Sequence, residues 1–319
     1  MSDAMQTSTS PTNNNTGGTA AAAATTTTGA TNNNNNQQCS ADAMSRLVFG
    51  KNDALFGAIE KQQGGKPFGS FLDAGTGLHS LRWMATLTPE RGHAHPMTTY
   101  TAITADETMR RNVQEEANAL GIGNKGNVII GNWFHPHTPL ALEQQKYDTI
   151  LADYLIGAMD GFSPYQQDCM LPKLAALLKP GGRLYVVGLE PIPDSVEGDA
   201  NVICKVRRIR DACILLAGHR CYREYPVDWI HRQFNTTSTQ MKLLRTSKFP
   251  ILYRHATIVK QINVARSKFR FFPTPEVAEA MKKVLDDLEV ESLEATKRSP
   301  NGRLQLGFDY VVSAEKRAS

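Results

Sequence analysis

The sequence of 319 residues contains no apolar run that approaches the length of a membrane span. Its first residues lack the basic start and apolar stretch of a secretory signal, and no arginine precedes Arg46, which argues against an organelle transit peptide. The five cysteines form no Cys-x-x-Cys pair, and an odd, scattered set is typical of reduced thiols. These absences predict an intracellular protein without a membrane anchor, in the cytoplasm or alternatively in the nucleus.

A strong charge of one sign is also lacking. Lysine and arginine total 35 against 31 acidic residues, and a net charge of +4 does not by itself indicate a nucleic-acid partner. Two histidine pairs, His93 with His95 and His135 with His137, have a spacing seen in metal sites. Neither pair has cysteines or carboxylates in register, so the sequence predicts loop histidines and no metal site.

Residues 1–40 consist almost entirely of Asn, Thr, Ala, Ser and Gly. Such a tract cannot bury enough apolar surface to offset its chain entropy, so it predicts a disordered, low-complexity tail. Apolar residues at helical spacing over 41–62 predict a helix that Gly64 and Gly65 end. This helix opens a domain over 41–319, and it either closes over a ligand or packs on the edge of a sheet.

The segment Phe68–Trp83 predicts a strand, a glycine turn and a helix in that order. Gly75 and Gly77 let the backbone turn sharply and come close to a ligand, because they carry no Cβ. Asp73 ends the strand, where a carboxylate would repel a pyrophosphate but suits a cationic amino group. A dinucleotide fingerprint would also have a third glycine where Ser80 stands.

Asp73-Ala-Gly-Thr-Gly77 resembles motif I of the class I S-adenosylmethionine-dependent methyltransferases. The resemblance implies that Asp73 lies near the methionine part of this cofactor, above the glycine turn. The contacts implied by this match are Asp73, Ala74, Gly75, Thr76, Gly77 and His79. His79 is a departure, because the family often has a third glycine there. Leu178-Lys-Pro-Gly-Gly-Arg-Leu184 is a second match, typical of the turn into strand five of these enzymes.

The remaining cofactor positions match the family loosely. The resemblance implies a carboxylate at the end of strand two that binds the ribose, but Thr104 stands there. Either Asp106, two residues on, makes this contact, or Thr104 makes a weaker one. The resemblance also implies that Asn132 bonds the adenine amino group and that Trp133 or Phe134 covers the purine. Alternatively, both aromatic side chains fill the core.

Tyr147–Tyr154 resembles motif IV, in which the end of strand four faces the transferred methyl group. The resemblance implies that Asp153 and Tyr154 are the catalytic candidates, with Asp153 also near the cofactor and His79 as the next candidate base. Their alternative role is to bind the cofactor or to hold the loop. The stretch Leu155–Tyr165 lacks the Asn-Pro-Pro-Tyr signature, which disfavours nucleic-acid bases and amide side chains as acceptors.

The resemblance implies an α/β fold: a Rossmann-like, doubly wound, mostly parallel seven-stranded sheet with an antiparallel last strand at about 307–315. Helical insertions are expected at about 191–225 and 252–297. The basic residues of the first are either a lid for an acidic substrate or a solvated helix face.

The expected activity is transfer of the S-adenosylmethionine methyl group by in-line displacement. A small-molecule acceptor is slightly favoured over a protein, with nucleic acid disfavoured and no membrane involved. The alternatives are an RNA- or protein-binding module without catalysis and a nicotinamide-dependent oxidoreductase.

Overall fold

The computed structural model describes residues 53–134, 142, 146–236 and 239–317. The predicted tail at 1–40, the first part of the predicted helix at 41–62, and His135 and His137 lie outside the described residues. None of the helices within these ranges is long and apolar enough to cross a membrane.

Helices and strands alternate through most of the chain, as expected for a parallel sheet with crossover helices. The strands are β1 (Gly69–Asp73), β2 (Met97–Thr104), β3 (Gly126–Ile130), β4 (Tyr147–Asp153), β5 (Leu178–Leu189), β6 (Met241–Tyr253) and β7 (Leu304–Lys316). The helices are α1 (Ala54–Gln63), α2 (Leu78–Thr86), α3 (Glu107–Ala119), α4 (Leu155–Ala158), α5 (Gln167–Leu177), α6 (Asn201–Leu216), α7 (Val227–Phe234), α8 (His255–Arg266) and α9 (Pro275–Arg298). Short 3-10 turns occupy Pro89–Arg91, Met159–Gly161 and Phe269–Phe271.

The seven strands form one sheet in the order β3-β2-β1-β4-β5-β7-β6. Strands β1 to β5 are parallel, and β7 lies antiparallel between β5 and β6. The predicted Rossmann-like sheet with an antiparallel last strand is therefore confirmed. The chain reverses its direction of winding between β1 and β4, and a crevice opens at such a switch point beyond the carboxyl ends of the strands.

Helix α1 shows why the chain folds as it does just before the sheet. Asp53 caps the helix, because its Oδ1 accepts hydrogen bonds from the backbone N–H groups of Leu55 at 2.7 Å and Phe56 at 3.2 Å. Gly64 ends it with a φ of 56° in the left-handed region. The Phe56 ring stacks on Trp83 of α2 with 4.5 Å between ring centroids, so α1 packs against α2.

The two predicted helical insertions pack together as one unit. Ile203 of α6, Ile262 of α8 and Leu285 of α9 are fully or almost fully buried in a single apolar cluster. Strand β6 is one of the two longest strands, because it pairs with nearly the whole of β7. The predicted turn at Pro180 lies inside β5, where Gly181 has a φ of 73°.

Gly126 of β3 lies directly against Tyr100 of β2, and a substitution there tests how closely the two strands approach. A Cβ at this position would overlap the carbonyl oxygen and the ring of Tyr100, whereas a Cβ on Gly57, inside α1, meets nothing within 4 Å. We expect Gly126→Ala to destabilise the protein by roughly 1–3 kcal/mol, lowering Tm by about 2–4 °C per kcal/mol. Gly57→Ala should raise Tm, because alanine is about 1 kcal/mol better than glycine in a helix. Equal melting temperatures in thermal unfolding followed by circular dichroism would contradict this packing.

Candidate active site

The carboxyl ends of β1, β2, β3 and β4 meet at one edge of the sheet. Asp73 is in register with Ala102 of β2 and Leu151 of β4, and Thr104 is in register with Ile130 of β3. The predicted site residues that end or directly follow these strands are Asp73, Ala74, Gly75, Thr76, Gly77, Thr104, Asp106, Asn132, Trp133, Asp153 and Tyr154. The fold therefore gathers them at the switch point.

The glycine turn after β1 is held from several sides. The Ala74 N–H donates to the Leu151 carbonyl and the Thr76 N–H to the Ile103 carbonyl, each over 2.8 Å, so the turn bridges β4 and β2. The Trp133 indole donates to the Ala74 carbonyl at 2.7 Å. A Cβ at Gly75 would lie 3.0 Å from Leu155 Cδ1, which leaves little room for any larger residue. These contacts hold the turn in place at the bottom of the crevice.

Asp73 is completely buried at the start of this turn. Its Oδ2 accepts a hydrogen bond from the Ser80 hydroxyl at 2.6 Å, while Oδ1 has no hydrogen bond of normal geometry among the described residues. Burial raises the pKa of Asp73 to about 6, although Ser80, Thr76 and the Gly75 backbone lie close enough to lower it. An unsatisfied buried acceptor costs about 1–3 kcal/mol, and the Thr76 hydroxyl close to this carboxyl is also buried without a hydrogen bond of normal geometry among the described residues.

Asp153 ends β4, and Tyr154 directly after it has an unusual backbone conformation. Tyr154 has a φ of 48°, and its hydroxyl donates to Asp309 Oδ1 of β7 at 2.8 Å. Burial, and then the charges of Asp309 and Asp153, raise the pKa of Tyr154, so the phenol stays protonated as a donor. Burial raises the pKa of Asp153 to about 8, and the neighbouring carboxylates of Asp73, Asp53 and Asp309 add to the shift.

His79 connects the site to helix α1. Its Nε2 lies 3.4 Å from Asp53 Oδ2, and its ring is 4.9 Å from that of Phe56. Burial lowers the pKa of His79 against the raising effect of Asp53, which favours a neutral ring. The rest of α1 lies against the sheet, where Gln63 Oε1 accepts from the hydroxyl of Tyr185 at 2.6 Å. The helix therefore packs on the sheet and also reaches the site with its first turn.

Thr104 and Asp106, the two residues expected to contact the ribose, are joined by a hydrogen bond. Thr104 is nearly buried, and its Oγ1 accepts from the Asp106 N–H at 3.2 Å. Asp106 Oδ1 accepts from the Met109 N–H at 2.6 Å and so caps α3. That bond uses one of the two carboxylate oxygens of Asp106.

Asn132, expected to contact the adenine, is hydrogen-bonded to the loop at Phe162 and Ser163. Asn132 Nδ2 donates to the Phe162 carbonyl at 2.6 Å, and its Oδ1 accepts from the Ser163 hydroxyl and, at 3.3 Å, from the Phe134 N–H. Trp133 is 5% exposed and belongs to the core, as the alternative interpretation expected, while Phe134 is only partly buried. Asn132 and Trp133 thus act on this edge by holding the loop and the glycine turn.

Sequence reasoning missed several residues of this site. Ser80 positions Asp73, Asp53 faces His79, and Asp309 faces Tyr154. Glu224 lies against Gly157, where a Cβ would overlap its carboxylate. Burial raises the pKa of Glu224 to about 7, with Arg210 lowering it and Asp309 raising it. An acid within the apolar run of β7 was a usable signal for Asp309, but nothing local marks Glu224.

The basic residues of the first insertion are largely paired. Lys205 Nζ lies 2.7 Å from Glu291 Oε1, Arg207 lies 2.7 Å from Asp194, and Arg210 lies 2.8 Å from Asp211. Val202, Val206 and Cys213 of the same helix are buried, so its apolar face is packed while the basic side chains form ion pairs at the surface, and both interpretations of this insertion stay predictions. Within the described ranges no group of three or more His, Cys, Asp and Glu side chains is arranged to hold a metal ion.

No protein-family model and no curated protein matches this sequence. Among solved structures, the chain is similar to the YcgJ protein from Bacillus subtilis, with 16% identity over 86% of this chain and 100% of that one and a TM-score of 0.47. It is also similar to S-adenosylmethionine-dependent methyltransferases from Thiobacillus denitrificans and Geobacter sulfurreducens, both in complex with S-adenosyl-L-homocysteine. These have identities of 13% and 12%, coverages of 86% of this chain and 91% of theirs, and TM-scores of 0.41 and 0.42. At such values the function has to be argued from the residues of the site.

The raised pKa of Asp153 predicts a pH-dependent effect of Asp153→Asn. The folded protein holds a proton on this carboxyl from about pH 4, the unfolded pKa, up to about pH 8, so the wild type loses stability as pH rises through that window. Asparagine removes this loss. We expect the variant to gain on the order of 2 kcal/mol, about 4–8 °C in Tm, at pH 8 and little at pH 4.

Asp148→Asn is the control of opposite sign. Burial raises the pKa of Asp148, but hydrogen bonds from Lys179 and Ser70 outweigh it and the net pKa is lowered. Its stabilising contribution is present above the unfolded pKa of about 4 and is lost as pH falls through the folded value. This variant should therefore melt lower than the wild type at neutral pH. Differential scanning calorimetry from pH 4 to 9 measures both; parallel curves for Asp153→Asn and the wild type would refute the assignment.

Proposed function

We propose that this protein is an S-adenosylmethionine-dependent methyltransferase that binds its cofactor at the carboxyl edge of β1 and β4. The observation that carries the proposal is the buried carboxylate of Asp73, with its Oδ1 lacking a well-formed hydrogen bond beside the glycine turn. An ammonium donor of the cofactor's methionine part satisfies this oxygen. A pyrophosphate does not, because two anions would meet in a buried crevice.

The glycine turn supports this choice of ligand. Gly75 and Gly77 carry no Cβ on the turn that the proposed cofactor crosses. The Ser80 hydroxyl donates to Asp73 Oδ2 at 2.6 Å and holds this carboxylate in one orientation. In the proposed complex Asp106 uses its Oδ2 for the ribose hydroxyls, since Oδ1 caps α3. Thr104 accepts a hydrogen bond from the Asp106 N–H, so its proposed role is to position Asp106. Asn132 shapes the adenine end through the loop at Phe162, and Phe134 covers the purine.

The proposed reaction is an in-line displacement. A lone pair of the acceptor attacks the methyl carbon, the carbon–sulfur bond breaks, and both electrons stay on sulfur to give a neutral thioether. The sulfonium is already activated, so alignment and exclusion of water supply most of the acceleration. Asp153 is the proposed base: a pKa of about 8 makes its carboxylate strongly basic, and the positive charge of the bound sulfonium favours that ionised form over the protonated form of the ligand-free protein. Tyr154 donates to Asp309 and orients it.

Cofactor binding tests the first part of the proposal. Isothermal titration should give micromolar affinity for S-adenosylmethionine and S-adenosylhomocysteine and none for NAD. Asp73→Asn keeps an acceptor for Ser80 but removes the charge, so we expect at least a tenfold weaker affinity. Asp148→Asn removes a carboxylate at the opposite end of β4, beside Ser70, and should leave affinity within about twofold. Unchanged affinity in Asp73→Asn would reject the proposed seat.

Methyl transfer tests the second part. Full-length protein is incubated with radiolabelled S-adenosylmethionine and a cell extract, and the label is separated by mass. We expect label in the low-mass fraction, because an acceptor site covered by the helical unit of α6, α8 and α9 would enclose a small molecule. Label in protein would move the acceptor class to macromolecules. Cofactor affinity with no label in any fraction would favour a binding module without catalysis.

A further inference from the structure

The chain leaves the sheet directly after β3, just before Trp133 and Phe134. The pairing of β3 with β2 ends at Ile130, and the Gly131 N–H continues it with one hydrogen bond to the Thr104 carbonyl at 2.9 Å. Trp133 is buried beyond these paired residues. Its carbonyl oxygen therefore needs a donor other than a neighbouring strand, because a buried main-chain acceptor without a partner is costly.

Lys173 of α5 supplies this donor. Its Nζ donates to the Trp133 carbonyl at 2.6 Å and lies over the Phe134 ring, 5.1 Å from the ring centroid. A charge-assisted hydrogen bond is stronger than one between neutral groups, and a cation over an aromatic face is attracted by the ring. One half-buried ammonium thus fixes both the main chain at Trp133 and the side chain of Phe134.

Trp133 joins Lys173 to the glycine turn after β1. Its indole donates to the Ala74 carbonyl at 2.7 Å, while its own carbonyl accepts from Lys173. On the other side of the segment, Asn132 Oδ1 accepts from the Phe134 N–H at 3.3 Å. Lys173 is therefore connected through a single residue to the turn that the proposed cofactor crosses.

We propose that Lys173 is a positioning residue of the cofactor site, which holds the Phe134 ring for stacking on the purine and the Trp133 indole against the glycine turn. This inference rests on the methyltransferase function proposed above. Phe134 is only partly buried, so a part of its ring not covered by Lys173 is open to a purine base. Rigid placement of that ring before binding lowers the entropy cost of stacking.

The position of Lys173 predicts which part of the ligand is affected by its loss. Asp73 is proposed to bind the methionine part, so its substitution should weaken only ligands that contain this part. Lys173 acts at the purine end and should weaken every ligand that carries adenine. The compound 5′-methylthioadenosine has the adenine, ribose and sulfur of the cofactor without the amino-acid group, and it distinguishes the two effects.

Isothermal titration of the full-length protein with S-adenosylhomocysteine and 5′-methylthioadenosine tests the inference. Lys173→Met keeps an unbranched apolar side chain and removes the ammonium, so we expect affinity for both ligands to fall about tenfold. Lys173→Arg keeps a cationic donor and should stay within about threefold of the wild type. Asp73→Asn should weaken S-adenosylhomocysteine alone.

Lys179→Met is the matched control. It removes a lysine ammonium whose partner is Asp148 Oδ2 at 2.8 Å, near the amino end of β4, and affinity for both ligands should stay within about twofold. Thermal unfolding separates positioning from a purely structural role, which would lower the Tm of Lys173→Met and leave the affinity of its folded form unchanged.

Unchanged affinity of folded Lys173→Met for 5′-methylthioadenosine overturns the inference alone. Lys173→Gln keeps a donor for the Trp133 carbonyl without a charge over Phe134, and it serves as the second variant if the methionine variant does not fold. Its affinity should fall about threefold, and an unchanged value likewise overturns the inference. Absence of affinity for both ligands in the wild type overturns the underlying function instead.

Discussion

The desolvation of the Asp73 carboxylate is the constraint on which the rest of the site depends. A fully buried carboxyl at the end of a central strand is costly unless its oxygens are satisfied, and only Oδ2 has a well-formed bond within the described protein, from Ser80. The glycine turn, the indole of Trp133 behind it and the first turn of α2 hold that carboxyl rigidly at the mouth of the sheet. The proposed cofactor supplies the donor that the fold leaves out, so affinity and stability are linked at one residue.

Asp153 and Glu224, two further acids near this edge of the sheet, also have raised pKa values. Burial raises the pKa of Asp73 to about 6, and burial together with neighbouring carboxylates raises the pKa of Asp153 to about 8 and that of Glu224 to about 7. The ligand-free protein therefore holds protons that a cationic ligand displaces. Binding of the cationic cofactor should therefore release protons, because a positive charge beside these carboxyl groups lowers their pKa values.

Much of the fold was predictable because its signals are local. The strand, glycine turn and helix at Phe68–Trp83 and the Lys179-Pro-Gly-Gly182 turn each specify backbone geometry within a few residues. The site was less predictable, because its remaining members meet only through the tertiary fold: Tyr154 and Asp309 are 155 positions apart. The roles expected for Asn132 and Trp133 came from resemblance, whereas their bonds to the Phe162 and Ala74 carbonyls depend on loop packing that no local pattern encodes.

The topology assigns different tasks to the two sides of the sheet. Strands β1 to β3 carry Asp73, Asp106 and the glycine turn, which resemblance to other proteins could indicate. Strand β7 and the loop before α7 carry Asp309 and Glu224, and the three-helix unit of α6, α8 and α9 packs against this side. Because the proposed cofactor is common to many reactions while the acceptor is not, the residues that set specificity should be those on the second side. Those residues meet only through the tertiary fold, and this explains why local patterns indicate the proposed cofactor but not the acceptor.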